Sequence, residues 1–184
     1  MTVTPEILGT SKDIRDMLWP FDFVVVDNGE YGPVWFDAAP LEPFEIVAQR
    51  STGCVYVLTG AQRHILRATS EGQAGIMAAS LQECLEPVIA YPYWQEVLRF
   101  GKGDLPEMRQ VLRGRIEEYE EEALGDNPEI EEFRPLPRAR LGLTEPRDSL
   151  KLLHHAVMVL GAEVIVRDPD GHPAEPLAGG FKRP

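Results

Sequence analysis

The chain has 184 residues, 43% of them hydrophobic, with 30 acidic side chains against 18 basic ones and a net charge of −12. That length supports one well-filled core, with or without an appended helical part, and the apolar share without low-complexity tracts argues for a globular chain. The charge argues against nucleic acid as a partner, because affinity for phosphate backbones comes mainly from cations that displace condensed counterions, and no uninterrupted apolar run approaches the ~20 residues of a membrane span.

The first twenty residues mix Lys12, Arg15, Glu6, Asp13 and Asp16 with apolar residues. No secretory-signal core is expected there, so the expected location is the cytoplasm. A short helix is predicted around Ser11–Trp19, ended by Pro20, followed by the apolar run Phe23–Val26. Asp27-Asn28-Gly29 tolerates a left-handed backbone and predicts a turn, hence a hairpin from Phe21 to Phe36. Pro40 and Pro43 mark a connector.

From Phe44 to Phe100 four strand-like runs lead into a helix. Phe44, Ile46 and Ala48 alternate with Glu45 and Gln49, the two-residue period of a strand with one buried face, and Gly53–Leu58, His64–Ala68 and Gly75–Ala79 follow after short breaks. Gaps this short cannot hold a crossover helix, so the sheet is predicted to be antiparallel. Ser80 and Glu83 have the spacing of a helix cap, and Leu81, Cys84, Leu85, Val88 and Ile89 then form one apolar stripe that would pack on the sheet. Pro87 lies inside the stripe and is expected to kink the helix.

Gly101-Lys102-Gly103 reads as a flexible joint, after which Asp104 and Glu107 repeat the cap spacing. Leu105, Met108, Leu112, Ile116, Tyr119 and Ala123 predict a helix that Gly125 ends, its opposite face carrying Glu117, Glu118, Glu121 and Glu122. Asn127-Pro128 opens another helix, which Pro135 and Pro137 should stop early. Thr144–Leu160 is predicted as a helix with Leu150, Leu153, Val157 and Leu160 inward and Gly161 closing it. Val164–Val166 then reads as a short strand, Asp168–Gly171 as a turn, and the Pro- and Gly-rich remainder as poorly ordered unless Phe181 is pinned. The organisation is a single domain over 1–184: a core at 21–100, a helical extension at 104–160, and a C-terminal strand and tail at 163–184.

Ala48, the Gly53/Tyr56 strand GCVYVL, TSEG at Thr69–Gly72, the helix start AASLQECL and YPYW at Tyr91–Trp94 together resemble the SUKH superfamily, which includes Smi/Knr-type cell-wall regulators and many bacterial toxin-immunity proteins. The order of elements extends the likeness, since helices and a C-terminal apolar element after such a core look like those of actinobacterial-type members. With the strand and helix pattern, the expectation is an α+β fold, a central antiparallel sheet of about 4–6 strands packed against several helices. The resemblance implies a non-catalytic protein-binding module, an immunity protein that binds a cognate toxin such as a nuclease. A regulatory or scaffold module recognising a peptide or protein is the alternative.

The residues themselves support no competing chemistry. His154 and His155 are adjacent, so on a helix they point roughly 100° apart and cannot share one metal face; Cys54 and Cys84 sit in apolar runs as packed thiols; Ser51, Ser70 and Ser80 lie in no nucleophile elbow; and the glycines at 53, 60, 72 and 75 build no nucleotide loop. An enzyme of unrecognised type would have to draw on His64, Glu71 and His154. No catalytic residue, metal or cofactor is expected. The candidate partner-binding residues are Glu117, Glu118, Glu121 and Glu122, of which Glu118 and Glu122 repel at i,i+4 spacing while only Arg113 is placed to relieve Glu117, and the aromatic cluster Tyr91, Tyr93 and Trp94. The expected partner is a basic toxin domain, steered by opposite charge, with neither nucleic acid nor membrane bound. A homodimer through a sheet edge stays open.

Overall fold

The computed structural model describes residues 2–26, 34–37, 39–143 and 148–178. Its centre is a five-stranded meander, β1 (Val24–Val25), β2 (Phe44–Gln49), β3 (Val55–Thr59), β4 (His64–Ala68) and β5 (Ala74–Ala78), in sequential order with every neighbour antiparallel. Short turns dictate this topology. At the β2–β3 turn Gly53 takes φ 85 and donates its N–H to the Arg50 carbonyl, a backbone state that a side chain would strain.

The single buried face expected for β2 is not what forms. A bulge between Ile46 and Ala48 breaks the alternation, so Ile46 joins Val57, Leu66 and Ile76 on one face while Val47 and Ala48 both join Tyr56, Leu58, Ile65 and Met77 on the other. Both faces are therefore covered, which explains why β3 to β5 read as nearly continuous apolar runs.

Eight α-helices surround the sheet in the described residues: α1 (Pro5–Thr10), α2 (Lys12–Leu18), α3 (Leu81–Ala90), α4 (Trp94–Phe100), α5 (Leu105–Asp126), α6 (Glu129–Phe133), α7 (Pro135–Leu141) and α8 (Ser149–Met158). The α3 stripe is buried as predicted, and Ser80 Oγ accepts from Glu83 N at 3.2 Å. Asp104 Oδ1 accepts from Glu107 N at 2.9 Å and so caps α5. α8 packs along β5 and against α3, burying Leu150, Leu153 and Val157.

Several expectations are corrected. The N-terminal helix has a partner, α1, which escapes a periodicity reading because it has only 6 residues. The helix opened at Asn127-Pro128 does stop early, α6 ending at Phe133, but Pro135 then starts a further helix: it occupies the first turn of α7, where its missing N–H costs nothing. Gly101–Gly103 is a close-packed turn and no loose joint: a Cβ at Gly101 would lie 2.7 Å from the Met108 Cα, and Lys102 and Gly103 take φ 50 and 69. Ile116 is exposed, so the buried side of α5 rests on Met108 and Tyr119. Val164–Val166 forms no strand, only flanking an isolated bridge between Arg167 and Pro173. The following segment is pinned, since Ala74 N donates to the Glu175 carbonyl at 2.9 Å and Leu177 and Ala178 are buried. This covers one end of the β5 edge, while on the opposite side β1 pairs with Ala48 and Gln49 alone of the six residues of β2. The predicted turn at Asp27-Asn28-Gly29 and Phe181 lie outside the described residues, as does the turn of the Phe21–Phe36 hairpin; β1 pairs with β2, and the helix predicted from Thr144 begins instead at Ser149, where Asp148 Oδ1 accepts from Lys151 N at 3.0 Å.

Candidate functional site

Two recesses flank α4, and Gln95, Glu96 and Phe100 line both. The larger is a cleft of about 840 Å³ between the turn Trp19–Phe21 and α5. Local hydrogen bonds fix both walls. Asp22, at φ 53, closes the turn, and its carboxylate accepts from Arg50 Nε at 2.5 Å and Ser51 N at 3.0 Å. Asn127 Nδ2 donates to the Pro20 carbonyl at 3.0 Å, tying the end of α5 to the same turn. Tyr93 Oη donates to Glu120 at 2.5 Å, Arg134 donates to the other oxygen of that carboxylate at 2.9 Å, and the Tyr93 ring stacks on Tyr119 with centroids 5.2 Å apart. Burial, and then the bond to Glu120, push the Tyr93 hydroxyl far up from its usual range, so it stays a neutral donor.

The cleft is acidic beside aromatic faces. Arg115 grips Glu118 with Nε and Nη2, at 2.9 and 2.6 Å, and lies over the Phe100 and Tyr119 rings at 5.2 and 4.7 Å. This pairing raises Arg115 and lowers Glu118. Glu96, Glu122 and Asp126 also line the cleft and make no ion pair among the described residues. Trp19 and Phe100 stand 58% and 47% exposed beside them. Such a surface can hold a cation on an apolar stem, the carboxylates meeting the charge and the rings meeting both the charge and the methylenes.

The expected binding residues divide. Glu118, Glu122 and Tyr93 line the cleft, whereas Glu117 and Glu121 lie exposed on the adjoining face of α5. The expected relief of Glu117 by Arg113 does not form among the described ion pairs; the cation that acts is Arg115, on Glu118. Tyr91 is half-buried beside Tyr93, with ring centroids 6.0 Å apart. Trp94 is only 2% exposed and turned into the core, so it is no surface anchor: the guanidinium of Arg67 covers its ring at 4.8 Å. His64 opens β4 and Glu71 lies past its far end, so they do not converge, while His154 sits half-buried on α8 and His155 is exposed. Sequence reasoning missed Trp19, Asp22, Glu96 and Asp126 as one site because they lie on separate elements. It also missed Arg67, although a cation inside an apolar strand was a readable signal.

Asp168, Asp170 and His172 bring ligand-type atoms within 4.8 Å of one another. The turn itself explains this, since Asp168 accepts from His172 N at 2.8 Å and faces His172 Nδ1 at 3.1 Å. Among the described residues no helix is long and apolar enough to cross a membrane. No protein-family model, curated protein or solved structure matches the chain. Its class is therefore stated from the fold, an α+β domain built on a five-stranded antiparallel meander with helices beside it.

Proposed function

We propose that the protein is a non-catalytic binding module of the toxin-immunity type, which occludes a basic protein partner by taking a Lys or Arg side chain into the cleft between the Trp19–Phe21 turn and α5. The observation that carries this reading is the exposed Trp19 and Phe100 beside Glu96, Glu122 and Asp126, three carboxylates with no ion pair among the described residues. The net charge of −12 adds long-range steering toward a basic surface. A nuclease toxin fits the same chemistry, because an enzyme that grips phosphate backbones is itself basic. The SUKH-like residues between Ala48 and Trp94 point the same way. The test is complex formation and cell protection against a toxin encoded beside this protein, with wild type and the Glu122→Lys/Asp126→Lys variant. Tight binding that weakens with salt and collapses in the variant is expected. Protection or binding unaffected by the charge reversal overturns the cleft, and neutralisation of no basic toxin overturns the immunity role.

A regulatory module that reads a basic peptide is the second reading. A cleft of about 840 Å³ favours it, being of ordinary small-ligand size and able to take one or two side chains without a whole domain. A Lys- or Arg-rich peptide binding as tightly as a folded partner would select this reading.

A further inference from the structure

The recess on the other side of α4, about 750 Å³, is built around a buried cation. Arg67 shares its sheet face with Ile65, a position where β4 otherwise presents apolar side chains, and is only 2% exposed. Its guanidinium carbon lies 4.8 Å from the Trp94 ring centroid and 6.0 Å from that of Tyr56. Its Nε has no hydrogen-bond partner, and among the described residues no carboxylate comes within ion-pair distance of it. A buried arginine that serves the fold alone has its charge paired and its donors met, because an uncompensated buried ion is costly. Aromatic faces offset part of that cost and leave the donor edge of the fork unanswered.

Arg67 reaches the lining of the recess, where Arg99 and Lys102 stand exposed and where the carboxylates are Glu71 and Glu96. In an acidic chain this concentrates a single excess positive charge, next to the apolar surfaces of Trp94 and Leu177. A dianion such as phosphate would be left with charge unmet and would gain nothing from the apolar walls. We propose that this recess binds a small organic monocarboxylate. Arg67 supplies the planar fork that takes both carboxylate oxygens, Arg99 and Lys102 attract the anion to the mouth, and the exposed Phe100 ring flanks its apolar body, with Trp94 and Leu177 forming the buried floor. The inference stands apart from the acidic cleft, since it invokes a different ligand on the opposite side of α4.

The test is an NMR titration of the full chain with benzoate, with neutral benzamide and inorganic phosphate as parallel arms at constant ionic strength. Benzoate is expected to give saturable shifts at the Trp94 indole N–H and at the amides of Arg67, Gln73 and Lys102, with a dissociation constant on the order of 1 mM. Arg67→Lys keeps the charge without the fork and is expected to abolish saturation. Arg99→Ser/Lys102→Ser, at exposed positions, is expected to weaken benzoate about fivefold. Should Arg67→Lys fail to fold, the surface double variant decides. An absence of saturable shifts, an equal response to benzamide, or an unchanged benzoate affinity in the double variant overturns the site. Phosphate binding as well as benzoate overturns the carboxylate assignment.

Discussion

On one side of α4 Arg115 lies over Phe100 and Tyr119; on the other Arg67 lies over Trp94 and Tyr56. The two guanidiniums share aromatic company and differ in everything else. Arg115 keeps 39% of its side chain exposed and holds Glu118 in a two-bond grip, an arrangement that costs little because water solvates what the partner does not. Arg67 is buried and meets no carboxylate among the described residues. Exposure makes the first a surface feature whose charge is already satisfied, leaving Glu96, Glu122 and Asp126 as the groups that seek a partner. Burial makes the second the seeker.

The largest effect that would break this contrast concerns the two tryptophans. Trp94→Ala removes a ring that is 2% exposed and supports Arg67, and is expected to cost about 3–5 kcal/mol in urea unfolding. Trp19→Ala, at a ring 58% exposed, is expected to stay within about 0.5 kcal/mol of wild type while weakening the basic partner. Equal losses of stability would mean that the cleft wall is core, and its role as an open binding face would fall.

Alkaline stability comes next. Burial, opposed by Arg67, pushes the Tyr56 hydroxyl from its usual 10.0 up to about 12, and burial likewise pushes the Cys84 thiol far above its usual 9.0. Between the two tyrosine values the unfolded chain has lost a proton that the folded chain keeps. The Tyr56 contribution is therefore complete below pH ~10 and is lost as pH rises toward ~12, about 2–3 kcal/mol in all. Cys84 adds a decline with the same sign that begins near pH 9. In pH-dependent urea unfolding, Tyr56→Phe should flatten the upper part of the decline and leave its onset in place. A Tyr56→Phe curve that parallels wild type would show that the ring is not sealed beneath Arg67 as described.

The caps sharpen the comparison at about 1 kcal/mol each. Asp104→Ala should destabilise by that amount in thermal unfolding, because the Glu107 amide loses its acceptor at the start of the helix that walls the cleft. Ser80→Ala should do the same for α3, beneath the sheet. If Asp104→Ala alone weakens the basic partner, α5 acts as a positioned wall, whereas an equal effect of both variants would reduce it to general stability.

How far these features could be read in advance follows from how local each one is. The Ser80 and Asp104 caps, the β3 and β4 strands and the α3 stripe are written in neighbouring residues, and they form as read. The bulge in β2 and the two-sided burial of the sheet were not legible, because alternation over six residues looks the same until a second layer covers the other face. For the cleft, Glu118 and Glu122 were legible as charge on a helix, but their meeting with Trp19 depends on Asn127 reaching the Pro20 carbonyl, a contact across 107 residues. Val164–Val166 carried a strand's composition, yet among the described residues the backbone there pairs locally, through Ala174 N to the Val166 carbonyl and the isolated Arg167–Pro173 bridge. Arg67 was visible as an anomaly in an apolar strand, but its lack of a carboxylate is a fact of three dimensions.

Glu96 tests the smallest effect and the most specific one, since it lines both recesses. Its charge acts on the cleft, where it helps raise Arg115 and Tyr119, and it offsets the cations of the other side. Glu96→Gln should therefore weaken a cationic partner and strengthen benzoate, each about two- to fivefold, as expected for one exposed charge. Opposite signs in the two titrations would confirm that α4 separates recesses of opposite polarity. A loss in both would mean that Glu96 shapes the helix and contributes no field to either side, and the electrostatic contrast would have to rest on Arg67 and Glu122 alone.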